Sequence, residues 1–457
     1  MLLTRLELFL RQEGLKPLHV ARRARYSRQF FLRLRLGEQM PTARSVEAIT
    51  GVCRLETNKP VEPAQLFERA ELLQEGITKL SALHARDLRV LDVLLEEVTP
   101  DAWAERVIAT GIRSETAARH LVVAGQAAID ALPSAAAEVF RGAMLLLAEL
   151  KDSPPELVAS LSAQALKGRA NALRHLARYD DALADLALSG RLFATARYCD
   201  DDAGQVELTR AGILFKRERW AEALTAARVA QERFRSVRDR KRAAHAEIIA
   251  ACVLFEQGDT KAAHDAFHRL RATLKALRDR DALARVWVNI AACAIRLRNE
   301  REARHWLNRA SRWFRERANT TEFLRTRWSM GTYLATFRAP ALGIKLLRRV
   351  EAAFRTLDMD ADSACVGLDV LELLIDMHAP RAELGAQART IAAAFTAAGM
   401  AVSMATALDH LRRIHTSPEP RAVLEDVRAA LRGADDSLCR DDVSGAALLE
   451  IGGAPDL

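Results

Sequence analysis

Small residues recur along the chain at Ala182, Ala223, Ala263, Ala303 and Gly343, spaced by 41, 40, 40 and 40 residues. Twelve positions before each stands another small residue, at Ala170, Ala211, Ala251, Ala291 and Gly331. Eleven positions after each stands a large apolar one, at Phe193, Phe234, Leu274, Phe314 and Phe354. Three columns in phase over five units predict one helical hairpin per unit: the small residues let the two helices approach, and the large one fills the groove toward the next unit. A degenerate sixth unit, about 360–398, puts Glu383 in the small column, and another helix runs through Ile414. Upstream, about 82–160, helical segments without clean phase predict one or two more pairs. The last stretch, 416–457, reads as one short helix and a loose Gly- and Asp-rich tail.

The first seventy residues follow a different rhythm. Leu2, Leu6, Phe9 and Leu10 share a helix face that stops before Gly14. Pro17 opens a short second helix through Ala24, with Val20, Ala21 and Ala24 inward. After a turn at Arg25-Tyr26, Ser27 caps a third helix from Arg28 to Leu36, with Phe31 and Leu34 inward and Gly37 as its stop. Its outward side is Arg28, Gln29, Phe30 and Arg33. A fourth helix from about Thr42 to Arg54 carries Val46, Ile49 and Cys53, and Pro63 begins a fifth with Leu66, Phe67 and Leu73.

Composition agrees. Of 457 residues only 5% are aromatic, and Ala, Leu, Arg and Glu dominate, which fits an all-α class. Charge changes the picture more. Residues 1–60 hold 12 Lys plus Arg against 5 Glu, a net of +7, while the whole chain nets +8. Between Gly14 and Gly37 stand seven basic residues and no acidic one, a field that attracts a polyanion. The six cysteines lie at least forty residues apart and form no CxxC pair, which suits reduced thiols in the cytoplasm. No secretion signal or membrane span is apparent.

The run GLKPLHVARRARYSRQFFLRLRLG resembles the helix-turn-helix of the xenobiotic-response-element family, the phage Cro and repressor type. MPTARSVEAITGV resembles that family's fourth helix, and PVEPAQLFE its approach to the fifth. The likeness covers residues 3 to about 68 and has two departures. Arg25 stands where the turn usually has Gly, and Arg35 replaces an acid near the end of the third helix, removing a supporting ion pair. ARYDDALADL, ERWAEALTAA, GDTKAAHDAF and NEREARHWLN are similar to the turn and second helix of tetratricopeptide repeats. The usual period there is about 34, so the longer unit implies longer helices or an extended turn. Together the two resemblances imply a five-helix helix-turn-helix domain (1–80), a right-handed α-solenoid (81–415) and a tail (416–457), as in peptide-sensing regulators.

The resemblance further implies double-stranded DNA as partner. Arg28, Gln29, Phe30 and Arg33 would meet base edges, and Lys16, Ser27 and Arg44 would hold phosphates. From the repeats it implies a peptide or protein on the concave face, near Arg169, Arg210, Asn289 and Arg327 of the first helices, and a homodimer as the competing use. The function expected is a sequence-specific transcriptional regulator. The alternative is a non-enzymatic interaction scaffold with a degenerate helix-turn-helix, its first domain a basic cap that docks an acidic protein. No phosphate-binding loop, dinucleotide turn or nucleophile elbow appears, so no catalytic residue and no cofactor is expected. His264 and His268 stand four apart in HDAFH, but Asp265 replaces the Glu that zinc-protease chemistry needs and no third ligand is evident, so no metal is expected. The tryptophans within the repeats, Trp220, Trp287, Trp306 and Trp313, read as packing residues.

Overall fold

The computed structural model describes residues 3–68, 77–97, 102–196, 200–317 and 319–414. The expectations for Leu2, Leu73, Cys199, Cys439 and 416–457 lie outside these residues. Twenty-two helices and no strand occur among the described residues, packed in sequential pairs as in a tetratricopeptide solenoid. The chain divides into two compact units, Met1–Ala172 with Ala182–Val206, and Leu173–Asp181 with Glu207–Leu457.

The first unit begins with five short helices, α1 (Arg5–Gln12), α2 (Pro17–Arg23), α3 (Arg28–Leu36), α4 (Ala43–Thr57) and α5 (Pro63–Leu66). Local chemistry fixes their starts. Thr4 Oγ1 accepts from the Glu7 amide at 3.1 Å, Ser27 Oγ from Phe30 at 3.2 Å, and Thr42 and Ser45 form a reciprocal box. Leu6, Leu10, Val20, Phe31, Leu34 and Ile49 make their common core. α4 runs three residues beyond Arg54, to a left-handed Asn58. α5 is a single turn, since Phe67 is already extended at φ −137°.

Next come α6 (Ile77–Glu97), α7 (Trp103–Ala109), α8 (Glu115–Ala128) and α9 (Pro133–Ala148). Leu3 and Leu8 of the N-terminal segment join Leu121, Val139 and Phe140 in one apolar cluster. Glu68 accepts from the amides of Glu115 and Thr116 at the start of α8, and Arg5 lies 2.6 Å from Glu115. The five helices are thereby held against the pairs that follow.

The repeats are α10 (Pro155–His175) and α11 (Tyr179–Thr195), α12 (Asp200–Lys216) and α13 (Trp220–Ser236), α14 (Arg240–Glu256) and α15 (Thr260–Ala276), α16 (Arg280–Arg296) and α17 (Glu300–Glu316), α18 (Thr320–Phe337) and α19 (Pro340–Arg355), α20 (Asp360–Asp376) and α21 (Arg381–Ala398), closed by α22 (Ala401–Ile414). From α12 to α17 every helix has 17 residues, and starts fall twenty apart. The 40-residue period therefore comes from longer helices, with three-residue turns between them.

The columns lie in the interior. Ala223, Ala263, Ala303 and Ala291 are fully buried, as are Phe234, Phe314, Leu274 and Phe354. Where glycine takes the small position, contact is closest: a Cβ on Gly343 would stand 2.8 Å from the Ala335 amide nitrogen and 2.8 Å from the Gly331 carbonyl.

The turns were hidden by their residue types. Glu218, Arg238, Gly258, Arg278, Arg298, Asp358 and His378 all have positive φ, between 56° and 89°. The left-handed conformation costs a side chain about 1–2 kcal/mol, partly offset by the entropy glycine loses on folding. Arg298→Gly at this exposed turn is expected to stabilise by about 0.5–1 kcal/mol, and Gly258→Ala to destabilise by about as much, read as opposite shifts of the urea midpoint.

Candidate functional site

Three places concentrate chemistry. The first is the face of α2, its turn and α3. Arg25 occupies the turn with φ 58°, the left-handed conformation that glycine usually supplies. Lys16, Ser27, Arg28, Gln29, Arg33 and Arg44 are exposed. Phe30 is half-buried, stacked on Tyr26 at 4.8 Å between centroids, so it offers an edge rather than a free ring.

Ion pairing divides the cations of this region into two sets. Arg11 and Arg35 pair with Glu7 at 2.7 and 2.5 Å, Arg23 with Glu56 at 2.5 Å, and Lys59 with Glu13 at 2.7 Å. Lys16, Arg22, Arg25, Arg28, Arg33 and Arg44 have no carboxylate partner among the described residues. The Arg35 inversion thus removes no ion pair, contrary to the sequence expectation, because α1 supplies the acid. Burial acts to raise the Glu7 carboxyl, but Arg35 and Arg11 outweigh it and hold it below the usual carboxylate range.

The second place is the interior of the second unit. There the first helices of several pairs, some of them far apart in sequence, turn ionisable groups toward one another. Asp362 of α20 lies 3.0 Å from Lys216 of α12 and 3.6 Å from Arg325 of α18. Burial acts to raise the Asp362 carboxyl, yet Lys216 and Arg325 hold it down at about 2. Burial pushes Arg174 down to about 10, with Arg325 adding to it, and drives His175 well below the ordinary histidine range. Asp369 accepts from Trp328 Nε1 at 2.6 Å and is pushed up by burial to about 6. Beside this interior, a half-open cavity of about 590 Å³ is lined by Tyr179, Asp181, Arg355, Ala361, Ala364 and Ala394, among others.

The repeat positions singled out in the sequence have different fates. Arg169 forms a two-pronged pair with Asp185, both contacts at 2.6 Å, inside its own hairpin. Arg210 is exposed with Glu207 at 3.7 Å, Asn289 donates to Cys252 Sγ at 3.6 Å, and Arg327 is half-buried. None of the four lines the cavity.

The third place is one the sequence reading left incomplete. His264 and His268 of α15 face Glu302 of α17, with Nε2 atoms 3.2 Å from Oε2 and 3.0 Å from Oε1. Glu302 is the third group that the sequence did not reveal. Two of the four tryptophans pack on each other, Trp287 on Trp306 at 6.1 Å with Arg309 and Arg271 over their faces, while Trp313 donates to Asp281 at 2.9 Å. No described helix is long and apolar enough to cross a membrane.

No protein-family model and no curated protein matches this chain. Among solved structures it is similar to a Rap protein complexed with Competence and Sporulation Factor, at 14% identity and TM-score 0.52, covering 90% of this chain and 100% of that one. It is also similar to aspartyl phosphate phosphatase F from Bacillus subtilis, at 10% identity and TM-score 0.46, covering 87% and 94%. The chain shares the tetratricopeptide-like fold of the first of these.

Proposed function

We propose that this chain is a non-catalytic docking protein whose repeat array takes up a peptide or protein segment. The observation that carries the reading is the cavity of about 590 Å³ beside a polar interior, within the range of pockets that enclose a ligand. Asp362 is buried between the cavity-lining residues Ala361 and Ser363 and held by a partly exposed Lys216, where an array built for packing alone would do better with an apolar residue. The shared fold supports the reading, since the Rap protein was solved with Competence and Sporulation Factor.

The test is selection of a random dodecapeptide display library on the full chain, followed by anisotropy titration of the enriched peptides. Ala394 is half-exposed on the cavity wall, and Ala394→Trp puts an indole into the space. Enriched peptides are expected to bind this variant at least tenfold more weakly. Equal binding, or no enrichment, contradicts the reading.

A second reading, DNA docking by the first five helices, rests on the separation of paired from unpaired cations. It keeps the helix-turn-helix resemblance, with Arg28, Gln29 and Arg33 toward base edges, Phe30 at their margin, and Lys16, Ser27 and Arg44 on phosphates. A homodimer on a two-fold operator accompanies it. Arg28→Ala and Arg33→Ala are each expected to cost about 1–3 kcal/mol on a fragment selected from a genomic library, concentrated at one base pair. Uniform affinity for all fragments, unaltered by either change, would refute sequence-specific docking.

A further inference from the structure

We propose that His264, His268 and Glu302 form a binding site for a divalent metal of zinc type that ties two successive repeats together. The two histidines stand one turn apart on α15, and Glu302 comes from the next second helix, α17. Their donor atoms all lie within 4.8 Å of one another, and the two nitrogen-to-oxygen approaches are 3.2 and 3.0 Å. Bonds of about 2.0–2.1 Å at tetrahedral angles put neighbouring ligand atoms about 3.3 Å apart. The two short approaches reach different oxygens of Glu302, so a turn of the carboxylate and shifts of up to about 1.5 Å bring one donor from each residue around an ion. Two imidazoles and one carboxylate are a borderline-soft set that favours zinc over magnesium or calcium.

The surroundings fit the same use. Asp265 Oδ1 lies 3.6 Å from Nδ1 of His264, the ring nitrogen that faces away from Glu302. A carboxylate on the outer nitrogen of a histidine ligand favours the tautomer with its hydrogen on Nδ1. Without an ion the nearer Glu302 carboxylate, 3.2 Å from Nε2, keeps the ring hydrogen there; a cation bound at Nε2 shifts that hydrogen to Nδ1, toward Asp265. Trp306 Nε1, 3.3 Å from Glu302 Oε1, and Asn299 Nδ2, 3.1 Å from Oε2, fix the carboxylate in its place. All three ligand side chains are partly exposed, so an ion can enter from solvent. Three protein ligands leave a fourth position for water or a donor from another molecule.

The test uses the untagged full chain, stripped with chelator and titrated with Zn(II) alone by calorimetry. One Zn(II) per chain is expected, with binding at least tenfold weaker in His268→Asn and in Glu302→Gln. His305→Asn, a change beside Trp306 but outside the cluster, is expected to bind as the unaltered chain does. Zn(II) should also raise the thermal midpoint of the unaltered chain and of His305→Asn but not of Glu302→Gln, and Co(II) should give the visible band of a four-coordinate site in the unaltered chain. Helical circular dichroism confirms that each variant is folded. Absence of saturable uptake by the unaltered chain, or undiminished uptake by folded His268→Asn and Glu302→Gln, overturns the proposal.

Discussion

Asp362→Asn is expected to destabilise the second unit by about 3 kcal/mol, the low end for breaking a buried ion pair from one side, because Lys216 keeps part of its side chain in water. Asn keeps the shape but not the charge, leaving Lys216 at 3.0 Å and Arg325 at 3.6 Å to face each other across a neutral group. Arg325 retains Glu322 at 3.1 Å, so Lys216 bears most of the loss. Adding Lys216→Met to Asp362→Leu should recover much of it, since an apolar pair needs no counter-charge. The pH dependence has a definite sign. The folded carboxyl sits at about 2, below its ordinary 3.8, so its contribution is complete above about pH 4 and is lost as pH falls toward 2. Urea unfolding of both chains across this window should show a steeper acid loss in the unaltered protein than in Asp362→Asn.

Phe314→Ala is expected to cost about 3–5 kcal/mol. The ring is 1% exposed at the end of α17, in a cluster with Trp287, Ile290, Leu307 and Ala310. Because each repeat leans on its neighbours, hydrogen exchange should show the loss as opening of α16 to α18 before distant pairs respond. Phe314→Leu should be much milder, because the equivalent position one unit earlier is Leu274, which is itself fully buried. A loss from Phe314→Leu as large as that from Phe314→Ala would mean that the column is not a repeated packing position.

The repeat was legible because its columns are one-residue requirements that recur: a small residue where two helices touch, and a large one where a groove needs filling. The turns were not. Glu218, Arg238, Arg278, Arg298, Asp358 and His378 adopt a conformation for which sequence reasoning looks for glycine, and among the regular turns only Gly258 meets that search. In the first five helices the starts at Pro17, Arg28 and Pro63 were legible from caps and prolines. The Arg35 to Glu7 pair was not, since it depends on how α1 crosses α3.

Contacts between repeats show why Glu302 was missed and how it could have been found. His264 meets Glu302 across 38 residues, as Gln164 meets Asp202, Lys167 meets Gln205, Arg338 meets Glu300 and His410 meets Glu372. One recurring offset between neighbouring units is thus two residues short of the period, beside others such as 34 for His268 with Glu302 and 41 for Trp328 with Asp369. A search at the first of these offsets from His264 lands on Glu302. Asp362 and Lys216, 146 residues apart, follow no such offset and were visible only in the folded chain.

Uptake of a ligand by the repeat array in the half-open cavity of the second unit is best tested by hydrogen exchange of the full chain with and without a display-selected peptide. Protection is expected to concentrate in the segments that line the cavity, at 176–181, 351–364 and 390–399. Protection confined to other segments, with these three unchanged at saturating peptide, would contradict it.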